Sequence, residues 1–187
     1  MSIPTESVCV KKMLHGVAGL AAAFALTVTS VVSQELRLEP HQELARDLFQ
    51  ELIEINTTES EGTAPAAEAM ARRLLAAGFP EEDVQIVGPN AQKVNLVVRL
   101  RGRDTGRAPI LLLAHLDVVE ALRSDWTLDP WTFTERNGYY YGRGVTDDKD
   151  EAAIYTANLI RYKEEGFVPD RDIIVALTAD EEGGPAN

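Results

Sequence analysis

The chain has 187 residues, a formal net charge of −12 at pH 7, three histidines and one cysteine. That length fits one domain, or one domain behind a leader. So acidic a balance argues against nucleic acid or an anionic membrane surface as partner, because both require a basic footprint. Cys9 falls in the leader, so a mature chain has no thiol, which excludes disulfides, thiolate metal ligands and a cysteine nucleophile.

Residues 1–33 have the pattern of a secretory signal. Lys11 and Lys12 precede an apolar stretch from Met13 to Val32, and small residues at 31–33 offer a cleavage point. An uncleaved membrane anchor is the alternative, since the stretch approaches the roughly 20 apolar residues of a span. Its many Ala, Gly and Thr residues favour cleavage, which places the mature part, residues 34–187, in the periplasm or outside the cell with no remaining membrane contact.

An amphipathic helix is expected from about His41 to Ile55, with Leu44, Leu48 and Leu52 recurring on one face. After a polar loop, a second helix is expected from Ala64 to Ala77, stopped at Gly78. Strands are expected at 83–87, 94–100 and 110–114, the last wholly apolar and read as buried. Asn137-Gly138 between Phe133 and Tyr139 reads as a two-residue hairpin turn, and the surrounding aromatic residues as packing that hairpin onto the core rather than walling a substrate. A third helix is expected over 148–165, stopped by Gly166, and a last strand over Ile173–Thr178. The order implies an α/β fold, with a mainly parallel core sheet flanked by helices.

Three stretches carry chemistry. Ile110-Leu-Leu-Leu-Ala-His-Leu-Asp117 ends an apolar run in a histidine, and Asp117, two residues on, points to the same side in extended backbone. A carboxylate so placed fixes the tautomer of a metal-binding imidazole. Asp147 and Asp148 lie at a helix start: Asp148 with Glu151 has capping-box spacing, leaving Asp147 free to face a site. Glu181 and Glu182 follow the last strand, where adjacent carboxylates point in different directions and can divide the roles of metal ligand and general base. Each motif alone is commoner as a turn or a cap. Together, His, Asp and Glu at the ends of core elements suit a zinc site of nitrogen and oxygen donors.

Leu113-Ala-His-Leu-Asp-Val-Val119, Tyr141-Gly-Arg-Gly-Val-Thr-Asp-Asp-Lys149 and Thr178-Ala-Asp-Glu-Glu-Gly183 resemble the three N-terminal signatures of the M20 metallopeptidases, a family of carboxypeptidases, dipeptidases, aminoacylases and deacylases. The resemblance implies a zinc-aminopeptidase-like catalytic domain with two zinc ions. His115 would ligate one, Asp147 bridge both, Glu182 ligate the other, Glu181 serve as general base and acid, and Asp117 orient His115. It implies a small peptide or N-acyl amino acid as substrate and a homodimer for the full-length form, while the acidic charge leaves no nucleic-acid partner expected. Two departures stand out: Asp150 occupies a position where the family usually has glycine, and relatives carry two further ligands and an inserted lid domain beyond the length seen here. The chain is therefore expected to be the N-terminal part of such a domain, catalytically incomplete by itself and with a sheet edge uncovered. The competing readings are a non-catalytic metal- or partner-binding domain, and a deacylase or esterase rather than a peptidase.

Overall fold

A computed structural model describes residues 37–183, so the expected leader at residues 1–33 lies outside the described residues. Helix α1 (Pro40–Glu54) opens with proline at its first turn, where the missing N–H costs nothing. Gln42 Oε1 accepts the Glu39 N–H at 2.9 Å, and Leu48, Phe49, Leu52 and Ile53 form the buried stripe. Helix α2 (Ala64–Ala76) buries Ala66, Ala67, Met70 and Leu74 and stops before Gly78, whose φ of +90° is the left-handed conformation that favours glycine. Helix α3 (Lys149–Glu164) buries Ala152, Ala153, Thr156, Leu159 and Ile160 on one stripe, and Lys149 lies on that stripe too.

Six strands follow the expected order: β1 (Val84–Val87), β2 (Asn95–Leu100), β3 (Ile110–His115), β4 (Thr134–Arg136), β5 (Tyr139–Tyr141) and β6 (Ile173–Thr178). The main sheet runs β1-β2-β6-β3, and β4 with β5 makes a separate hairpin. Asn137 and Gly138 both take positive φ, as a two-residue hairpin turn requires. Phe133 and Tyr140 of the hairpin pack on Phe49 of α1, with ring centroids 5.4 and 5.8 Å away, so these aromatics do pack a hairpin on the core.

The class is α/β, but the sheet is mixed rather than mainly parallel. Strands β1–β2 and β2–β6 pair antiparallel, and only β3–β6 pairs parallel among the described residues. The short connection between β1 and β2 allows only a hairpin, whereas α3 lies between β3 and β6 and supplies the long crossover that a parallel pair needs.

Register explains the core. Leu96, Leu177 and Ala114 form one row across the sheet and Val98, Val175 and Leu112 the next, on the face that the helices cover. Strand β3 was expected to be buried; it is instead an edge strand, with Leu111 55% and Leu113 57% exposed. These two leucines alternate onto the opposite face, beside Ile174 and Ala176, and no helix of the described residues packs there. An apolar run therefore shows that a strand is suited to burial, and the layers around it decide whether burial occurs.

Candidate metal centre

Because β3 and β6 are parallel, their C-terminal ends share one edge of the sheet. His115 leaves β3 there, in register with Thr178 of β6, and the turn that follows Thr178 carries Glu181 and Glu182. The start of α3 brings Asp147 and Asp148 to the same edge. His115 Nε2 lies 2.9 Å from Asp147 Oδ1 and 3.9 Å from Glu181 Oε2. One donor atom each from His115, Asp147 and Glu182 fall within 4.8 Å of one another. His115, Asp117, Asp147, Glu181 and Glu182 thus lie together at this edge.

Asp117 holds the imidazole, but in two ways at once. Its backbone carbonyl accepts from His115 Nδ1 at 2.9 Å, while its carboxylate Oδ1 lies 3.6 Å from the same nitrogen. The other carboxylate oxygen accepts the Glu182 N–H at 2.8 Å, so Asp117 ties the histidine turn to the glutamate turn. Oδ1 itself is buried without a hydrogen-bond partner. A second tether comes from Lys93, 2.8 Å from Asp180 Oδ1, and a third from Asn95, whose Oδ1 accepts the Ala179 N–H at 2.8 Å.

One expectation is corrected. Asp148 stands at the N-cap of α3, but its side chain makes no cap hydrogen bond; Oδ2 accepts the backbone N–H of His115 at 3.2 Å. The Asp147–Asp148 peptide is cis, and the two side chains take different partners. Capping-box spacing is a local pattern, and here a tertiary donor competed successfully for the carboxylate. Asp150 sits in the first turn of α3 with one buried oxygen, Oδ1, unpaired, a feature nothing in the structure explains.

The electrostatics follow from this crowding. Burial works against a charge on His115, but hydrogen bonds to Asp117 and Asp147 outweigh it and raise the imidazolium to about 10. Burial likewise acts to raise the Asp117 carboxyl, yet the His115 ring and the Glu182 and Glu181 N–H groups hold it below the ordinary range. Glu182 moves the other way, pushed up by burial and then by the neighbouring carboxylate of Asp147. Three acids facing one histidine ring in this way are a cation site by charge as well as by donor type.

The geometry needs a small adjustment to take a metal. With bonds of about 2.0–2.2 Å to nitrogen and oxygen, two ligands of a tetrahedral ion lie roughly 3.3 Å apart. The 2.9 Å His115–Asp147 contact must therefore open by a few tenths of an ångström. The Asp147 side chain is 70% exposed and free to give. The residues fit. A cavity of about 210 Å³ lined by Glu59, Asp117, Glu120, Asp180 and Glu182 lies alongside.

Residues 111–187 match the model of "Peptidase family M20/M25/M40". This chain belongs to peptidase family M20. The M20 chain is 35% identical over 92 residues to the N-fatty-acyl-amino acid synthase/hydrolase PM20D1 of Mus musculus, covering 48% of this chain and 18% of the relative. It is 33% identical over 138 residues to a succinyl-diaminopimelate desuccinylase of Delftia acidovorans, covering 73% of this chain and 35% of that protein. Its fold is similar to that of human carnosine dipeptidase 1, with a TM-score of 0.63 at 22% identity, covering 78% of this chain and 33% of the dipeptidase. The M20 chain thus spans about a third or less of the length of these relatives.

Two participants escaped sequence reasoning. Lys149, read only as part of a motif, is fully buried, and burial pushes its ammonium down to about 7. Thr57, read as a loop residue, is fully buried and bonded to the histidine turn. For Lys149 a signal existed: it occupies the apolar stripe of α3, three and four residues before Ala152 and Ala153. For Thr57 there was none.

Proposed function

We propose that the M20 chain forms part of a zinc-dependent hydrolase that cleaves amide bonds of small peptides or N-acyl amino acids. The observation that carries this reading is the approach of His115, Asp147 and Glu182 donor atoms to within 4.8 Å, with Glu181 beside them. His115 would hold one zinc ion, Glu182 a second, and Asp147 both, with further donors supplied by polypeptide other than residues 37–183. When bound, such a pair supplies Lewis acidity to the scissile carbonyl and makes a nearby water a stronger acid.

The chain's own residues supply the rest. Asp117 accepts from His115 Nδ1 and so presents Nε2 to the site. Glu181 makes no hydrogen bond through its carboxylate among the described residues, and its Oε2 stands 3.9 Å from Nε2; a base so placed can take a proton from water and return it to a leaving amine. By their names the mouse, Delftia and human relatives act on acylated amino acids or a dipeptide, and the proposed substrate of this chain is of the same class. Export behind a cleaved leader at residues 1–33 belongs to the same proposal.

The test is zinc titration of the chain with Glu181→Gln and His115→Ala beside it, followed by hydrolysis of N-acyl amino acids and dipeptides in a polypeptide that carries this segment and turns over. Glu181→Gln should bind zinc like the parent and lose turnover by at least a hundredfold. Unchanged turnover removes Glu181 from the chemistry, and unchanged zinc affinity in His115→Ala removes the metal centre.

A further inference from the structure

We infer that Lys149 and Thr57 form a two-point clamp through which the end of α1 sets the separation of His115 from Asp147. The inference rests on the metal-centre reading. It concerns two residues that touch none of the proposed metal ligands with their side chains.

The first point is Lys149. A fully buried lysine is costly unless its polar head is satisfied, and Nζ donates to Leu52 O and Ile55 O, each at 2.8 Å. Both acceptors belong to the end of α1, where Leu52 O also accepts the Ile55 N–H at 3.3 Å and the helix dipole is negative. Two carbonyls match the two N–H groups of a neutral amine, and an ammonium can make the same two bonds with one N–H left over, so both bonds can form in either charge state. The stem runs past Gly144, at φ +87°, where an added Cβ would come within 3.0 Å of both Lys149 Cδ and Val118 Cγ1. Glycine there keeps the channel open.

The second point is Thr57, two residues beyond Ile55. Its hydroxyl donates to Leu116 O at 2.6 Å, and its carbonyl accepts the Val118 N–H at 3.2 Å. These bonds bracket Asp117, whose carbonyl holds His115. Asp147 is thus connected through Lys149 to the end of α1, and the end of α1 through Thr57 to His115. The loop closes on the 2.9 Å contact between His115 and Asp147. An apolar residue at position 149 would satisfy the core at lower desolvation cost. What the lysine adds is direction, because its two hydrogen bonds fix where the start of α3 sits relative to α1.

The experiment measures zinc affinity of the full chain by competition with a chromophoric chelator, together with thermal unfolding in EDTA. Thr57→Val keeps the shape and removes the hydroxyl; Lys149→Met keeps the length and removes both hydrogen bonds. Each should fold and bind zinc about tenfold more weakly, in the range seen when outer-shell partners of metal ligands are removed. Thr57→Ser, which restores the donor, should return affinity to within about threefold. A folded Thr57→Val chain with parental affinity overturns the clamp alone, and so does failure of both variants to fold, which would make the two residues simply structural. Should the Val variant alone fail to fold, Lys149→Met decides. A parent chain that binds no zinc overturns the metal-centre reading and the clamp with it.

Discussion

Zinc binding to this chain should release close to one proton from His115, and the affinity should climb steadily from about pH 6.5 to about pH 8.5. The free ring has acceptors at both nitrogens, Asp117 O at 2.9 Å from Nδ1 and Asp147 Oδ1 at 2.9 Å from Nε2, so it is held as an imidazolium up to about 10. A metal ion at Nε2 must displace that proton. At pH 7.5 the solution stands about 2.5 units below the ring's midpoint, which at about 1.36 kcal/mol per unit takes at most roughly 3–4 kcal/mol from the binding energy. Asp147 is largely exposed, so its share is screened, and roughly 1–2 kcal/mol is the more realistic competition. Calorimetry in two buffers of different ionisation enthalpy measures the proton count, and chelator competition gives the slope. The log of the affinity should rise by nearly one for each pH unit below about pH 7.5 and keep rising, less steeply, to about pH 8.5. An ordinary histidine, near 6.5, would lose that slope above about pH 7.5. A flat affinity between pH 7.5 and 8.5 would refute the reasoning, since His115 would then be neutral in the free chain. Asp117→Asn, which removes the carboxylate contributing most to the elevation, should flatten the slope while leaving the chain folded.

The same elevated imidazole makes a prediction for metal-free stability. A folded-state value above the unfolded one stabilises fully below about pH 6.5, and that contribution disappears as pH rises toward about 10. The stability difference between the parent and His115→Gln, from urea unfolding in EDTA, should therefore shrink across that window; a growing difference would reverse the assignment. Gly144→Ala places a side chain at φ +87° against Lys149 and Val118, and should cost at least about 1–2 kcal/mol by the same assay. On the open face of β3, Leu111→Lys with Leu113→Glu should reduce self-association in light scattering while shifting stability by no more than about 0.5 kcal/mol per site. A large loss of stability there would mean that the leucines are packed.

Much of this molecule was legible in one dimension. The periodic leucines placed α1, Asn137-Gly138 placed the hairpin, and Ile173–Thr178 was read with its observed bounds. The same holds for the meeting of His115, Asp147, Glu181 and Glu182, since polar residues at the ends of apolar runs emerge where strands and helices leave the core. These are local signals, set by periodicity, turn chemistry and the solvation of each side chain. The pairing direction of β1, β2 and β6 was not local, nor was the exposure of Leu111 and Leu113, because both depend on which layers lie alongside. Nor could local pattern show that Asp148 serves His115 rather than its own helix, or that Lys149 and Thr57 reach across to other elements. Sequence alone determined which side chains could ligate or cap. Tertiary structure decided which partner each one took, because a buried donor or acceptor bonds to whatever group the packing of distant segments sets beside it.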